Sequence, residues 1–232
     1  MHIPDGFLGP KTSISLLGAA IGVLGYCFSK VLKAITVAVP KRVLAAAGAN
    51  LANIYENGKL ALTKLGSEKI RKMGVVAAWI FAAQMFNFPV SQGTSGHLLG
   101  GIFAAVILGP FAGTLVIFIV LLVQSLFFAD GGMISLGANI INMGLIGCLL
   151  SYYLYEYLNK LLRNKNIAVF IAAWASVIGA AFACSLEVGL SGKIPVLSVT
   201  KAMLGVHAII GVAEAIITIF LLKMFKGKEE SI

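Results

Sequence analysis

The stretch FAGTLVIFIVLLVQSLFFA, residues 111–129, contains no charged side chain and is about as long as an α-helix must be to cross the hydrocarbon core of a bilayer. Reading outward from it, apolar segments recur at 13–33, 73–88, 97–109, 136–158, 167–189 and 201–224, with 73–88 and 97–109 short for a full crossing. The composition agrees. Hydrophobic residues make up 59% of the 232-residue chain and charged ones 12%, with a mean hydropathy of +0.96, whereas soluble domains carry roughly one-quarter charged residues. The expectation is an all-α integral membrane bundle of about seven transmembrane helices, multi-pass in the cell membrane. It forms one domain over residues 1–232, with no room for a soluble module.

The net charge of +9 does not point to nucleic acid, because the cations fall in short clusters between apolar runs and not along one polar face with interleaved aromatics. It reads as topology. Fifteen of the eighteen lysines and arginines lie at the end of the first segment or between it and the second, after the fifth, or at and beyond the end of the seventh, and only Lys11, Lys193 and Lys201 fall on the other side. Lys and Arg are retained in the cytoplasm, so the pattern expects an outside N-terminus and a cytoplasmic C-terminus. Residues 34–72 read as a basic cytoplasmic connection with one or two interfacial helices, punctuated by Pro40 and Gly58. Cys27, Cys148 and Cys184 lie inside apolar runs without metal spacing and read as small packing residues.

The connection NFPVSQGTSGHLLGG, residues 87–101, holds Pro89 and four glycines and cannot be a continuous helix. Irregular backbone at membrane depth survives only where protein buries it or it lines a cavity, which marks His97 for attention. With the expected orientation, this loop shares a side with residues 130–135 and with the chain start, MHIPDGFL. That start lacks the basic region, apolar run and cleavage site of a signal peptide, so it reads as mature, with a turn-forming apolar stretch that lets the terminus tuck into the bundle.

A free amine on Met1 and the amide nitrogen of His2 would close a five-membered ring on a metal ion, and that amide with His2 Nδ1 would close a six-membered one. Three nitrogens then lie in a plane if the amide gives up its proton, which late first-row divalent ions, chiefly Cu(II) and Ni(II), promote. A fourth nitrogen would complete the square. The chain has three histidines, so the candidates are His97 and, on the last segment, His207, which reads equally as a polar helix contact. Glu214 lies seven residues beyond His207 on the same helical face and must point inward, since a charge at the bilayer centre costs about 2.5–3.5 kcal/mol. Asn139, Asn142, Gln84, Asn87 and Gln124 are amides that could hold ligand histidines in one tautomer or tie helices together. The chain contains no G-x-x-x-x-G-K-[ST] and no HExxH, so the expectation is a binder without its own ATPase, not an enzyme.

These residues, MHIPDGFL at the start, FAAQMFNFPVSQGTSGHLLGG at 81–101, FADGGMISLGANIINMG at 128–144 and GVHAIIGVAEAIIT at 205–218, resemble the substrate-binding S component of energy-coupling-factor nickel/cobalt transporters, the NikM/CbiM type. The resemblance implies seven helices and a tucked terminus that binds the ion through the Met1 amine, the His2 amide and imidazole, and the loop histidine, here His97. It further implies a transmembrane T component, two cytoplasmic ATPase subunits and a small accessory membrane subunit, separate here because the chain ends too soon to carry it fused. The connection at 34–72 is longer than that family's usual one. The expected function is therefore high-affinity capture of a divalent transition metal ion for ATP-driven uptake. Nickel is favoured over cobalt because planar four-nitrogen coordination suits Ni(II). The alternatives are a proton-coupled secondary transporter using Glu214 and His207, which lacks a matching pair of interrupted helices, and a structural scaffold.

Overall fold

The computed structural model describes residues 1–38, 60–90 and 94–229. Helix α1 (Pro10–Ile35) opens on a proline, whose missing N–H costs nothing at a helix start, and leads into strand β1 (Thr36–Ala38). β1 pairs antiparallel with β2 (Leu60–Leu62), Thr36 opposite Leu62. Helix α2 (Lys64–Gln84) begins where Thr63 Oγ1 accepts the Gly66 N–H at 2.8 Å, so residues 64–72 form the start of a helix that continues through the second apolar segment. The rest of the expected basic connection, 39–59, lies outside the described residues.

After α2 a short ribbon, β3 (Phe88–Val90) against β4 (Thr94–Gly96), carries the chain to His97. Helix α3 (Gly101–Leu108) begins only after Gly100 has taken a left-handed φ of 73°, so the apolar run 97–109 starts as irregular backbone and turns helical four residues in. Gly109 (φ 84°) and Pro110 then break α3 from α4 (Pro110–Phe127). The bundle closes with α5 (Leu136–Leu162), α6 (Lys165–Leu190), capped by Asn164 Oδ1, and α7 (Val196–Glu229). The middle of α5, Ile140–Leu150, is wound as a π-helix.

Among the described residues, seven helical segments stand where seven apolar runs were read, and five of them, α1, α4, α5, α6 and α7, are long and apolar enough to cross a membrane. α2 begins with a basic first half and α3 has eight residues, which is why these two fall short. The outer face is apolar: Ile14, Phe127, Leu190 and Ile209 are all more than 70% exposed, an arrangement that water penalises and lipid does not. Inside, helices approach closely. A Cβ on Gly101 would run into the backbone carbonyl of Gly147, so α3 and the π-wound part of α5 touch backbone to backbone. All three cysteines are buried and unbridged.

The N-terminal peptide lies within this bundle, with Met1, His2 and Ile3 each at most 2% exposed. Asp5 fixes it: its carboxylate accepts the backbone N–H groups of Met133, Ile134 and Ser135 at 2.9–3.1 Å. Ile3 O accepts the Gly132 N–H at 2.9 Å, and Asn139 takes the Ile3 N–H on Oδ1 (2.8 Å) and returns Nδ2 to its carbonyl (3.3 Å). Ser135 Oγ donates to Pro4 O and Lys193 Nζ to Gly6 O. Replacing Asp5 by Ala removes three charge-assisted bonds at an exposed position and costs about 1–2 kcal/mol. The expected result is a Met1 amine that reacts with a water-soluble acylating reagent in the folded D5A protein and is protected in the wild type, read by mass spectrometry.

Candidate metal centre

The seam closed by Asp5 and Asn139 carries the first two residues to the start of α3. Met1's amine is fully buried and donates to the backbone carbonyl of Ser95 and, at 3.2 Å, to its hydroxyl. Cys184 Sγ, on α6, contacts the Met1 carbonyl at 3.9 Å. The imidazoles of His2 and His97 stack with centroids 4.3 Å apart and planes 25° apart. Met1, His2 and His97, distant in sequence, therefore share one buried pocket.

His97 is held by its neighbours on both sides. Its Nδ1 meets the Leu98 carbonyl at 2.8 Å, while the Glu214 carboxylate, buried on α7, accepts the N–H groups of Leu99 (3.0 Å) and Gly100 (2.8 Å). Gln84 Nε2, at the end of α2, donates to Leu99 O at 2.7 Å. Glu214 thus caps the orphan amides that precede a helix, a place where negative charge is favourable. It clamps the turn that presents His97 and makes no bond to His207, whose Nδ1 contacts the Met203 carbonyl of its own helix at 2.7 Å. Residues flanking His207 pack on the same turn: the Cβ direction of Gly96 ends 2.8 Å from Ile210 Cδ1 and 3.4 Å from Val206 Cγ1.

Two sets of pairings bear on the site. Neither Asn139 nor Asn142 holds a histidine: Asn139 is spent on the backbone of Ile3, and Asn142 Nδ2 donates to Glu187 at 2.7 Å. A planar asparagine amide matches a peptide backbone better than a single ring nitrogen, which explains the first. The second concerns His2, whose Nδ1, the atom a six-membered chelate ring requires, faces Asp130 Oδ1 at 2.8 Å. Asp130, Ser95 and Glu187 were not singled out in the sequence; an acid set before two glycines, at the end of an apolar run, was the available signal for Asp130.

Burial governs the electrostatics. It pulls the Met1 amine down from about 8.0 to about 5, against small upward pulls from Cys184 and Asp130. It lowers the His2 imidazole despite its bond to Asp130, and holds His97 well below its ordinary value, helped by the charges of the amine, His2 and His207. Burial pushes the Asp130 carboxyl up, but the bond to His2 and the nearby positive charges outweigh it and set it below the usual value. At neutral pH the pocket therefore holds a neutral amine and two neutral imidazoles, all with lone pairs.

Eight buried side-chain nitrogen and oxygen atoms among the described residues have no partner, and three are the Nε2 atoms of His2, His97 and His207. Each such atom costs about 1–3 kcal/mol. Among the described residues, no three His, Cys, Asp or Glu side chains stand close enough to hold an ion by themselves. An ion bound here must draw on the terminal amine and backbone.

Comparison with known proteins follows the same line. Residues 36–232 match the family model CbiM, described as a cobalt uptake substrate-specific transmembrane region. Over 220 residues the chain is 37% identical to a protein of Archaeoglobus fulgidus that carries the name of a fused nickel transport protein, NikMN, covering 94% of this chain and 63% of that one. It therefore spans under two thirds of that relative's length. Over 102 residues it is 41% identical to the cobalt transport protein CbiM of Thermosipho melanesiensis, 44% of this chain and 43% of that one. Two crystal structures, of a transition metal transporter and a truncated one, superpose with TM-scores of 0.82 and 0.81 at 27% identity, covering 99% and 98% of this chain and 94% and 99% of theirs. A family model covering most of the chain and two full-length structural matches make this multi-pass membrane protein a member of the CbiM family of substrate-specific transport components.

Proposed function

We propose that the chain captures Ni2+, with Co2+ as a second substrate, as the substrate-specific component of an ATP-driven uptake transporter. The donors are the Met1 amine, the His2 amide and imidazole, and the His97 imidazole. The observation that carries this reading is a fully buried terminal amine beside two stacked imidazoles, with the Nε2 of His97 left without a partner. A buried amine without a ligand role is costly and serves no packing purpose. In loading, the amine exchanges Ser95 for the ion, His2 exchanges Asp130, and the ion's charge expels the His2 amide proton.

Glu214 and Gln84 act by keeping the His97 turn rigid, so that the fourth nitrogen needs little reorganisation. The secondary-transport alternative needs Glu214 free to exchange protons with His207, and its two backbone bonds favour the clamp instead. Under the same proposal the N-terminus lies outside and the C-terminus in the cytoplasm, as fifteen of eighteen cations support. A T component, two ATPase subunits and a small accessory membrane subunit complete the machine. Its place is the plasma membrane, and nucleic acid has no part.

Adding one residue ahead of Met1 moves the amine out of the five-membered ring, and tight Ni2+ binding is expected to be lost, while a tag after Ile232 leaves it intact. Equal binding by the two proteins in equilibrium dialysis contradicts the proposal.

The pH dependence follows from the lowered amine. Between about pH 5 and 8 the folded amine is neutral while that of an unfolded chain takes a proton, so the stability of the ion-free protein rises with pH through that window. Binding in the same window displaces chiefly the amide proton, so Ni2+ affinity is expected to fall about tenfold per pH unit. It falls more steeply below about pH 5, where the amine competes as well. Calorimetric titration in two buffers of different ionisation enthalpy reads the proton count directly.

A further inference from the structure

We propose that Asp130 is the carboxylate that receives the divalent cation from solvent and passes it to His2. The inference rests on the function proposed above and concerns how the pocket is filled. His2 is 2% exposed and His97 and Met1 are fully buried, whereas the Asp130 side chain keeps 21% of its surface exposed while touching His2. It bridges solvent and site. Asp5, another acid at this end, is spent on three backbone N–H groups, and Glu187, near the end of α6, accepts Asn142 Nδ2 at 2.7 Å.

The turn bearing Asp130 is built to present it. Ala129 (φ 53°) and Gly131 (φ 87°) flank it in the left-handed region, which an alanine adopts only when its surroundings impose it. A Cβ on Gly131 would come within 3.4 Å of the His2 side chain and 3.1 Å of Asn139, so the turn is pressed onto the ligand residue. The Asp130 N–H is tied back to the Gln124 carbonyl of α4 at 3.2 Å. Strain and close packing hold one carboxylate oxygen on His2 Nδ1, the nitrogen the chelate requires.

The chemistry orders the steps. A hydrated divalent ion meets an anionic oxygen most readily, and a peptide amide gives up its proton only to an ion already anchored beside it. Asp130 supplies the anchor at the pocket mouth. The ion then replaces the carboxylate on His2 Nδ1, whose proton shifts to Nε2, and draws in the neutral amine and the amide nitrogen, the amide proton leaving to solvent. Asp130 takes no place in the final planar set. By microscopic reversibility, a group that serves only transfer speeds loading and unloading alike and leaves the equilibrium nearly where it was.

The test is stopped-flow absorbance of NiCl2 binding to the purified protein in nanodiscs, with chelator-induced release as the reverse reaction, for wild type, Asp130→Asn and Asp130→Glu. D130N is expected to slow loading and release together, each tenfold or more, with Kd changed less than threefold and the loading rate losing most of its salt dependence. D130E restores both rates. A D130N protein that loads at the wild-type rate and releases faster makes Asp130 a holder of the His2 ring only, and overturns the inference, as does unchanged kinetics in both directions. Should D130N fail to fold, the salt dependence of wild-type and D130E loading decides: a rate insensitive to salt in both overturns it. Wild-type protein that binds Ni2+ equally with and without an added N-terminal residue defeats the underlying site, a result separable from any of these.

Discussion

An ammonium group inside a lipid-embedded protein is so costly that it persists only neutral or bound, and this structure places its own terminal amine at full burial. Much of the half of the molecule around the N-terminus follows from that constraint. The chain must enter the bundle at its first residue, which demands a groove between α4, α5, α6 and the β3–β4 ribbon. The entering backbone must also find partners for groups that water would otherwise satisfy. Ile3 finds them in the side chain of Asn139 and in Gly132, Pro4 in Ser135, and Asp5 in a row of three amides. Gly132 is the counterpart of that seam, because a Cβ there would strike Asp5.

The opposite wall is irregular for the same reason. His97 is delivered by backbone that is neither strand nor helix, and such backbone needs acceptors and donors of its own. Glu214 and Gln84 provide them from two different helices, converting a glycine-rich turn into a fixed mount. Buried polar residues across the bundle are thus tied mostly to backbone. What remains unpaired is concentrated on histidine Nε2 atoms and a few amides.

The helical segments were legible because lipid enforces an unambiguous pattern: apolar length reads as a crossing, and proline or paired glycines read as its interruption. Residue 97 was legible as a candidate partner for residue 2, with residue 207 beside it, since few histidines and an amine at the chain start leave few ways to make a nitrogen site. Asp130 was not, because its role depends on a left-handed turn at Ala129 that no local residue preference announces. Asn139 was legible as a buried amide, but not its partner. Sequence shows that an amide is buried, while only the path of the N-terminal strand shows that a peptide unit, not an imidazole, lies opposite it. The π-wound stretch Ile140–Leu150 was likewise invisible, since an extra residue per turn leaves the apolar pattern of an already apolar segment unchanged.

The central claim is that an amine, a deprotonated amide and two imidazoles surround the ion in one plane. X-ray absorption at the nickel edge of the loaded protein tests this most directly, because a planar four-coordinate Ni(II) shows a resolved 1s→4pz pre-edge feature and a single shell of short nitrogen scatterers. The account predicts that feature, four nitrogens and no oxygen or sulfur. A six-coordinate spectrum with longer mixed oxygen and nitrogen distances, or one with sulfur from Cys184 in the shell, contradicts it.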